Sequence, residues 1–186
     1  MKKVTFLGVV LLMTLSFNTY GQTALNYSEV IKVDSISKDE LYNRAKIWFA
    51  IACNSSKDIL QMDNKEEGQI IGKAKMSYNP TILNASGRTY GIINYTIKLY
   101  LKDGRYKYEI TDFIHVPTGN SSYGNLPFDL ITTDVNSPIQ HKGQYKSWND
   151  KVWNDIKNQI SDKITPLIES LKKSMLKKAE TKNENW

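Results

Sequence analysis

Alternating apolar and polar residues predict that much of this chain forms β-strands. Apolar side chains recur at every second position, which is the period of a strand with one buried face. We expect strands in residues 27–33, 59–63, 69–78 and 90–115. A polar turn over residues 64–68 separates the second of these strands from the third.

The clearest local signal is a hairpin within residues 90–115. The Asp-Gly dipeptide at positions 103–104 lies between two alternating runs, which is a strong signal for a two-residue turn. Counting outward from this turn pairs Tyr95 with Asp112, on a face that is otherwise apolar. The same count places Phe113 and His115 on the opposite face.

Two helices are predicted from apolar residues spaced three and four apart. In the first, Ser37 and Glu40 form a capping-box pattern. Its apolar stripe consists of Leu41, Ala45, Trp48, Phe49 and Ala52. The second helix has a stripe from Val152 to Met175, with Ser147 as its candidate N-cap. Pro166 interrupts this stripe and is expected to kink or restart the helix.

The first 21 residues have the layout of a secretory signal peptide. Lys2 and Lys3 precede an apolar run over residues 4–17, and small residues stand at Thr19 and Gly21. The run is shorter than the roughly 20 apolar residues that span a bilayer. We therefore expect cleavage before Gln22, export to the periplasm or outer cell envelope, and no transmembrane helix afterwards.

Five segments follow from these patterns. They are a signal peptide (1–21), an α/β domain core (22–116), a long loop (117–146), a C-terminal helix packing on the domain (147–176) and a disordered basic tail (177–186). Loops of this length are uncommon in compact domains, so residues 117–146 are functional, mobile or a strap over the core. The apolar cluster of this loop, at Leu126, Phe128, Leu130 and Ile131, is expected to dock on the domain.

Charge and cysteine content narrow the possibilities. Cys53 is the only cysteine, so no internal disulfide can form, and a packed thiol is expected. The chain carries a formal charge of +6, much of it near the C-terminus at Lys172, Lys173, Lys177 and Lys178. These lysines are either a solvated helix end or a contact for an anionic surface such as phospholipid or lipopolysaccharide.

Several segments together resemble a known family. They are residues 27–33, 37–42, 48–49, 68–72, 102–106 and 110–113. In these residues the chain resembles the exported bacterial domain of unknown function 4468 family, described as having a TATA-binding-protein-like (TBP-like) fold. The resemblance implies an α+β, two-layer fold in which a curved antiparallel sheet of about five strands packs on helices, in the order β-α-β-β-β-β-α. It supplies no activity and no catalytic residues, and a shared fold is not evidence of DNA binding.

One polar residue breaks the apolar face of the hairpin. Asp112 shares that face with Tyr95 and Tyr108, and a buried carboxylate needs hydrogen bonds or a partner charge. Either Tyr95, a backbone donor or a wet sheet edge satisfies it, or the three residues form a ligand site. Such a site would be an apolar cavity with a few placed polar groups.

Catalytic and metal chemistry have little support. The alternative of an envelope hydrolase would need Asp112, His115 and His141 in one cleft, although a three-residue separation along a strand argues against an Asp–His dyad. No spacing of ligands indicates a metal site, and no cofactor is expected.

The leading hypothesis is therefore a non-catalytic exported module of the cell envelope that binds a partner. That partner would be an envelope protein or a small apolar ligand, and nucleic acid is not expected. The surfaces left unassigned are the second sheet face, the long loop and the basic tail. A second alternative is a protein that contacts the membrane surface through its basic C-terminal helix.

Overall fold

A computed structural model describes residues 22–52 and 60–176 of the chain. Its elements are β1 (Tyr27–Lys32), α1 (Lys38–Ala52), β2 (Leu60–Asn64), β3 (Gln69–Tyr78), α2 (Ser86–Thr89), β4 (Gly91–Lys102), β5 (Arg105–Pro117), β6 (Asp129–Leu130) and α3 (Lys146–Leu176). The proposed leader, Cys53 and the tail beyond Leu176 lie outside the described residues. Within the described ranges, no helix combines the length and apolar character needed to cross a membrane.

The strands form one antiparallel sheet, with α1 and α3 packed on one of its faces. The strand order is β1-β5-β4-β3-β2, and the short β6 pairs with β5 beyond the end of β1. The predicted α+β, two-layer architecture is confirmed. Two short elements, α2 and β6, were not predicted from the sequence.

Helix α1 begins where its sequence predicts. The backbone N–H of Glu40 donates to the Ser37 hydroxyl at 3.3 Å, which is half of a capping box. The Glu40 carboxylate instead pairs with Arg44. A second cap comes from the β4–β5 turn, because the carboxylate of Asp103 accepts the N–H of Lys38 at 2.7 Å. The hairpin turn therefore fixes the start of the helix.

The core lies between the sheet and the two long helices. Four of the five predicted stripe residues of α1 are buried, namely Leu41, Ala45, Trp48 and Phe49. The prediction for Ala52 is wrong, because it is exposed in the last turn. Trp48 donates its indole N–H to the Ser170 hydroxyl at 2.9 Å, which ties α1 to α3.

Helix α3 is continuous through Pro166, so the predicted restart of the helix is wrong, while the alternative of a kink stays a prediction. Ile160, Ile164 and Ile168 are buried on both sides of the proline, and this packing offsets the backbone hydrogen bond that proline removes. Ser147 is not the N-cap, since the helix begins at Lys146 and the carbonyl of Tyr145 accepts the N–H groups of Trp148 and Asn149.

The hairpin register is correct near the turn and wrong beyond it. Thr96 pairs with Thr111 as predicted, but Asn94 pairs with Ile114 because a β-bulge lies between these two pairs. The extra residue on β5 is accommodated by Asp112, whose φ is +57°. One extra residue exchanges the two faces, so Phe113 and His115 turn into the core.

The long loop forms a strap along β5. Leu126, Phe128 and Ile131 are buried, as expected for a docked apolar cluster, whereas Leu130 is exposed. The N–H of Ile131 donates to the carbonyl of Phe113 at 2.7 Å, which extends the pairing of β6 with β5.

A buried carboxylate joins α3 to the end of β3. Asp155 accepts the Tyr78 hydroxyl at 2.8 Å and the Thr81 hydroxyl at 2.6 Å. It also accepts the backbone N–H of Thr81 and the amide of Gln159. Burial and this carboxylate raise the pKa of Tyr78, so the phenol stays a donor. The four donors satisfy both carboxylate oxygens.

Candidate functional site

The sheet face opposite α1 and α3, named the open face here, is strongly basic. Strand alternation places seven basic side chains on it, namely Lys32, Lys73, Lys75, Lys98, Lys102, Arg105 and Lys107. Glu109 is the one acidic side chain at the same strand positions of the described chain. No helix that the structure describes packs on this face. Five of the seven basic residues are exposed, and Lys98 and Lys107 are partly exposed.

Three of these cations form a row across three strands, named the cation row. Lys32 and Lys102 each lie directly opposite Arg105 in the pairing register. Like charges in such positions destabilise a sheet. None of the three forms an ion pair with a carboxylate among the residues that the structure describes. The row is therefore uncompensated positive charge.

Beside the cation row lies a depression of about 490 Å³, named the hollow. Its walls include Val30, Tyr100, Lys102, Arg105, Lys107 and Glu109. Lys107 forms an ion pair with Glu109, and this hydrogen bond raises the lysine pKa. The Lys107 ammonium also lies 5.9 Å from the centre of the Tyr100 ring. The hollow thus combines an aromatic wall with two cations that have no carboxylate partner in the part of the chain that the structure describes.

The ligand residues predicted from the sequence lie elsewhere. Tyr108 is buried on the helix side of the sheet, and its hydroxyl donates to Glu29 at 3.1 Å. The Tyr95 ring stacks on Phe113 at 5.7 Å between centroids and packs against the core. Asp112 is half-buried in the bulge. The proposed site at these three residues stays a prediction.

His115 is held as a neutral structural side chain. Its Nε2 lies 2.7 Å from the carbonyl of Thr89, and its Nδ1 accepts the N–H of Phe128 at 3.1 Å. Since a carbonyl only accepts, the proton is on Nε2. Burial lowers the pKa of His115, and both ring nitrogens are already engaged. This geometry leaves no lone pair for a general base.

His141, like His115, contacts Phe128 of the strap. Its ring packs edge-on against Phe128 at 4.9 Å, and its buried Nε2 has no hydrogen-bond partner among the described residues. Burial lowers the pKa of this histidine as well. The structure thus brings both histidines to Phe128. Within the described ranges, no group of three or more His, Cys, Asp or Glu side chains could hold a metal ion.

The basic C-terminal residues divide into two groups. Lys172 pairs with Glu29 at 3.0 Å and with Glu169 at 3.7 Å, and its hydrogen bond to Glu29 raises its pKa. Lys173 is exposed. Lys177 and Lys178 lie outside the described residues.

Sequence reasoning missed the open face because it looked for charge in runs. The seven basic residues come from four strands, and no two of them are consecutive in the sequence. The sequence did contain a signal, because Lys73, Lys75 and Lys98 stand at the polar positions of the alternating strand pattern. Counting the charged residues on each face of the predicted strands would have found them.

Comparison with known families identifies the middle of the chain. Residues 27–115 match the model of a family described as a domain of unknown function (DUF4468) with TBP-like fold. The resemblance predicted from the sequence is therefore confirmed.

Two solved structures share the architecture. A TBP-like protein from Parabacteroides distasonis ATCC 8503 is 19% identical, and the match covers 80% of this chain and 93% of that chain with a TM-score of 0.54. A DUF4468 family protein from Bacteroides ovatus ATCC 8483 is 14% identical, and the match covers 80% and 86% with a TM-score of 0.52. At these identities the likeness shows the fold alone. No curated protein matches the chain.

Proposed function

We propose that this chain is a non-catalytic, exported binding module of the bacterial cell envelope that holds an anionic ligand on its open face. The observation that carries the proposal is the charge of that face, with seven basic side chains against one acidic side chain among the described strands. A face lined by one sign of charge concentrates and steers ligands of the opposite sign.

The cost of the arrangement supports a role in binding. Basic side chains directly opposite one another, as Lys32 and Lys102 are to Arg105, lower the stability of the sheet. An anion seated against the cation row would offset that repulsion. Fold stability alone gives no reason to keep the row uncompensated.

A non-catalytic role is supported by the histidines. His115 uses both ring nitrogens to hold the strap, and His141 packs against the same phenylalanine. Asp112 lies in a half-buried bulge rather than in a hydrogen bond with either imidazole. Export is supported by the leader-like layout of residues 1–21, which provides an address outside the cytoplasm.

Binding to a soluble polyanion tests this proposal. Dextran sulfate would be titrated into the protein, beginning at Gln22, at low salt, with the triple variant Lys73→Gln/Lys75→Gln/Lys98→Gln as the test. The matched control, Lys142→Gln/Lys151→Gln/Lys173→Gln, removes the same charge from exposed lysines outside the open face. We expect the open-face variant to lose at least about fivefold more affinity than the control, with binding that weakens as salt is added. Equal losses in the two variants would overturn the proposal.

A further inference from the structure

We infer that the hollow is a binding site for a phosphate monoester carried on a sugar ring or similar body. Arg105 and Lys102 would hold the phosphate, and Tyr100 would support the ring. This inference rests on the proposed function, because it names the ligand class of the open face. It also locates the binding site, since it places the ligand at one end of the open face.

Charge counting favours a phosphate monoester over a single carboxylate. Three cations and one carboxylate line the hollow, and Lys107 is already paired with Glu109. The remaining charge is that of Lys102 and Arg105, so the site carries two uncompensated positive charges. A phosphate monoester carries about −1.5 to −2 near neutral pH, whereas a carboxylate carries −1.

The geometry of the donors agrees with this charge. Arg105 and Lys102 face each other across β4 and β5, so both reach an anion placed between the strands. The guanidinium offers a planar pair of N–H groups that suits phosphate oxygens, and the ammonium adds a rotatable point charge. Lys32 adjoins Arg105 on β1 and raises the positive potential at the same point.

The remaining walls suit the body that carries the phosphate. The volume of about 490 Å³ falls within the range of small-molecule sites, roughly 300–1,000 Å³. Tyr100 provides an aromatic wall, and Val30, which is 57% exposed, provides an apolar one. An uncharged ring can pack against both while its phosphate reaches the cations.

The test is a titration followed by ¹⁵N amide chemical shifts. The probes are glucose 1-phosphate, glucose, and vesicles of phosphatidylcholine with or without phosphatidic acid. The two phosphate probes separate a free sugar phosphate from a headgroup in a lipid surface. Arg105→Gln and Lys102→Gln test the hollow, and Lys75→Gln removes one charge from the far end of the same face.

We expect glucose 1-phosphate, or phosphatidic acid vesicles in its place, to shift amides of residues 100–107, and glucose to shift none. Arg105→Gln should weaken this binding by about fivefold to tenfold, while Lys75→Gln should change it less than about twofold. Arg105→Lys should restore part of the loss, because it keeps the charge without the planar fork.

Three results would overturn the inference. They are binding of glucose equal to that of its phosphate, no shift with either phosphate probe, or equal losses from Arg105→Gln and Lys75→Gln. If dextran sulfate still distinguished the open-face variant from its control, the proposed function would stand without this site. If neither polyanion nor phosphate bound, both would fall.

Discussion

The two faces of the sheet come from the same strands, but one carries buried apolar side chains and the other carries exposed charged side chains. On the helix side, Ile97, Leu99 and Ile110 are fully buried beneath α1 and α3. On the open face, their immediate neighbours Lys98 and Glu109 are partly exposed and lie opposite each other. Alternation along each strand therefore separates the residues that stabilise the fold from residues free to serve another purpose.

The two faces also differ in whether their charged groups have partners. The buried charged groups of the helix side have specific partners, since Asp155 accepts hydrogen bonds from Tyr78 and Thr81, and Arg44 pairs with Glu40. The cation row has no carboxylate partner within the described chain. Hydrogen-bonded buried groups are accounted for by the fold, whereas the unpaired like charges are the feature that our proposal assigns to an anionic ligand.

Adjacent residues of β4 give the largest expected contrast. Ile97→Ala opens a cavity in the core and should cost about 2–5 kcal/mol of unfolding free energy. Lys98→Ala, one position away, should change stability by less than about 0.5 kcal/mol. Urea unfolding of both variants measures the two values. Similar losses of unfolding free energy in the two variants would show that the two faces do not differ in their contribution to stability.

The carboxylate of Asp155 offers a polar counterpart. Asp155→Asn keeps the shape but replaces an acceptor with an amide donor that faces the Tyr78 and Thr81 donors, at a cost of about 2 kcal/mol. Asp162→Asn, at an exposed position of the same helix, should be nearly neutral. A loss below about 0.5 kcal/mol for Asp155→Asn in the same urea experiment would contradict the hydrogen-bond assignment.

The two histidines predict how stability depends on pH. Burial lowers the pKa of His115 and of His141, and the neighbouring charges of Asp129 and Arg88 modify this only secondarily. The folded state therefore binds fewer protons than the unfolded state, whose imidazoles titrate near pH 6.5. Stability should be highest above pH 7 and fall as the pH is lowered through 6.5 towards 5.

The matched variant for this pH effect is His115→Gln, which keeps a donor and an acceptor without a titrating ring. Its unfolding free energy should fall less steeply between pH 7 and pH 5 than that of the natural chain, whatever its value at pH 7. An unchanged slope would mean that His115 does not titrate on unfolding as the geometry requires.

The bulge at Asp112 predicts the smallest effects. Because its φ is +57°, Asp112→Gly should be neutral or stabilising by up to about 1 kcal/mol. Asp112→Val should cost about 1–2 kcal/mol, since a β-branched residue is strained in this conformation. Thermal unfolding of the pair measures the difference, and a valine variant as stable as the glycine variant would rule out the bulge.

Sequence patterns predicted most elements because their causes are local. The Asp103-Gly104 turn and the capping residue Ser37 act within a few positions. The bulge was missed although Asp112 breaks the apolar alternation, because a polar residue on a continuous strand gives the same local pattern as the extra residue of a bulge. Continuity through Pro166 was missed because packing on the distant sheet, rather than local propensity, decides it.

The candidate site was less predictable than the fold. Its charges come from different strands, and only the pairing register shows that Lys32, Lys102 and Arg105 share one row. The sequence instead drew attention to the C-terminal lysines, of which Lys172 has acidic partners in Glu29 and Glu169.

The decisive test of phosphate binding at the cation row is thermal unfolding of the natural chain and of the double variant Lys102→Gln/Arg105→Gln. Both proteins are measured at low salt, with and without glucose 1-phosphate. Removing like charges should make the variant melt higher than the natural chain when no ligand is present. Glucose 1-phosphate should then raise the melting temperature of the natural chain alone. A variant that melts at a lower temperature than the natural chain without ligand would contradict the repulsion within the cation row. A variant whose melting temperature rises as much with the phosphate would contradict binding at the row.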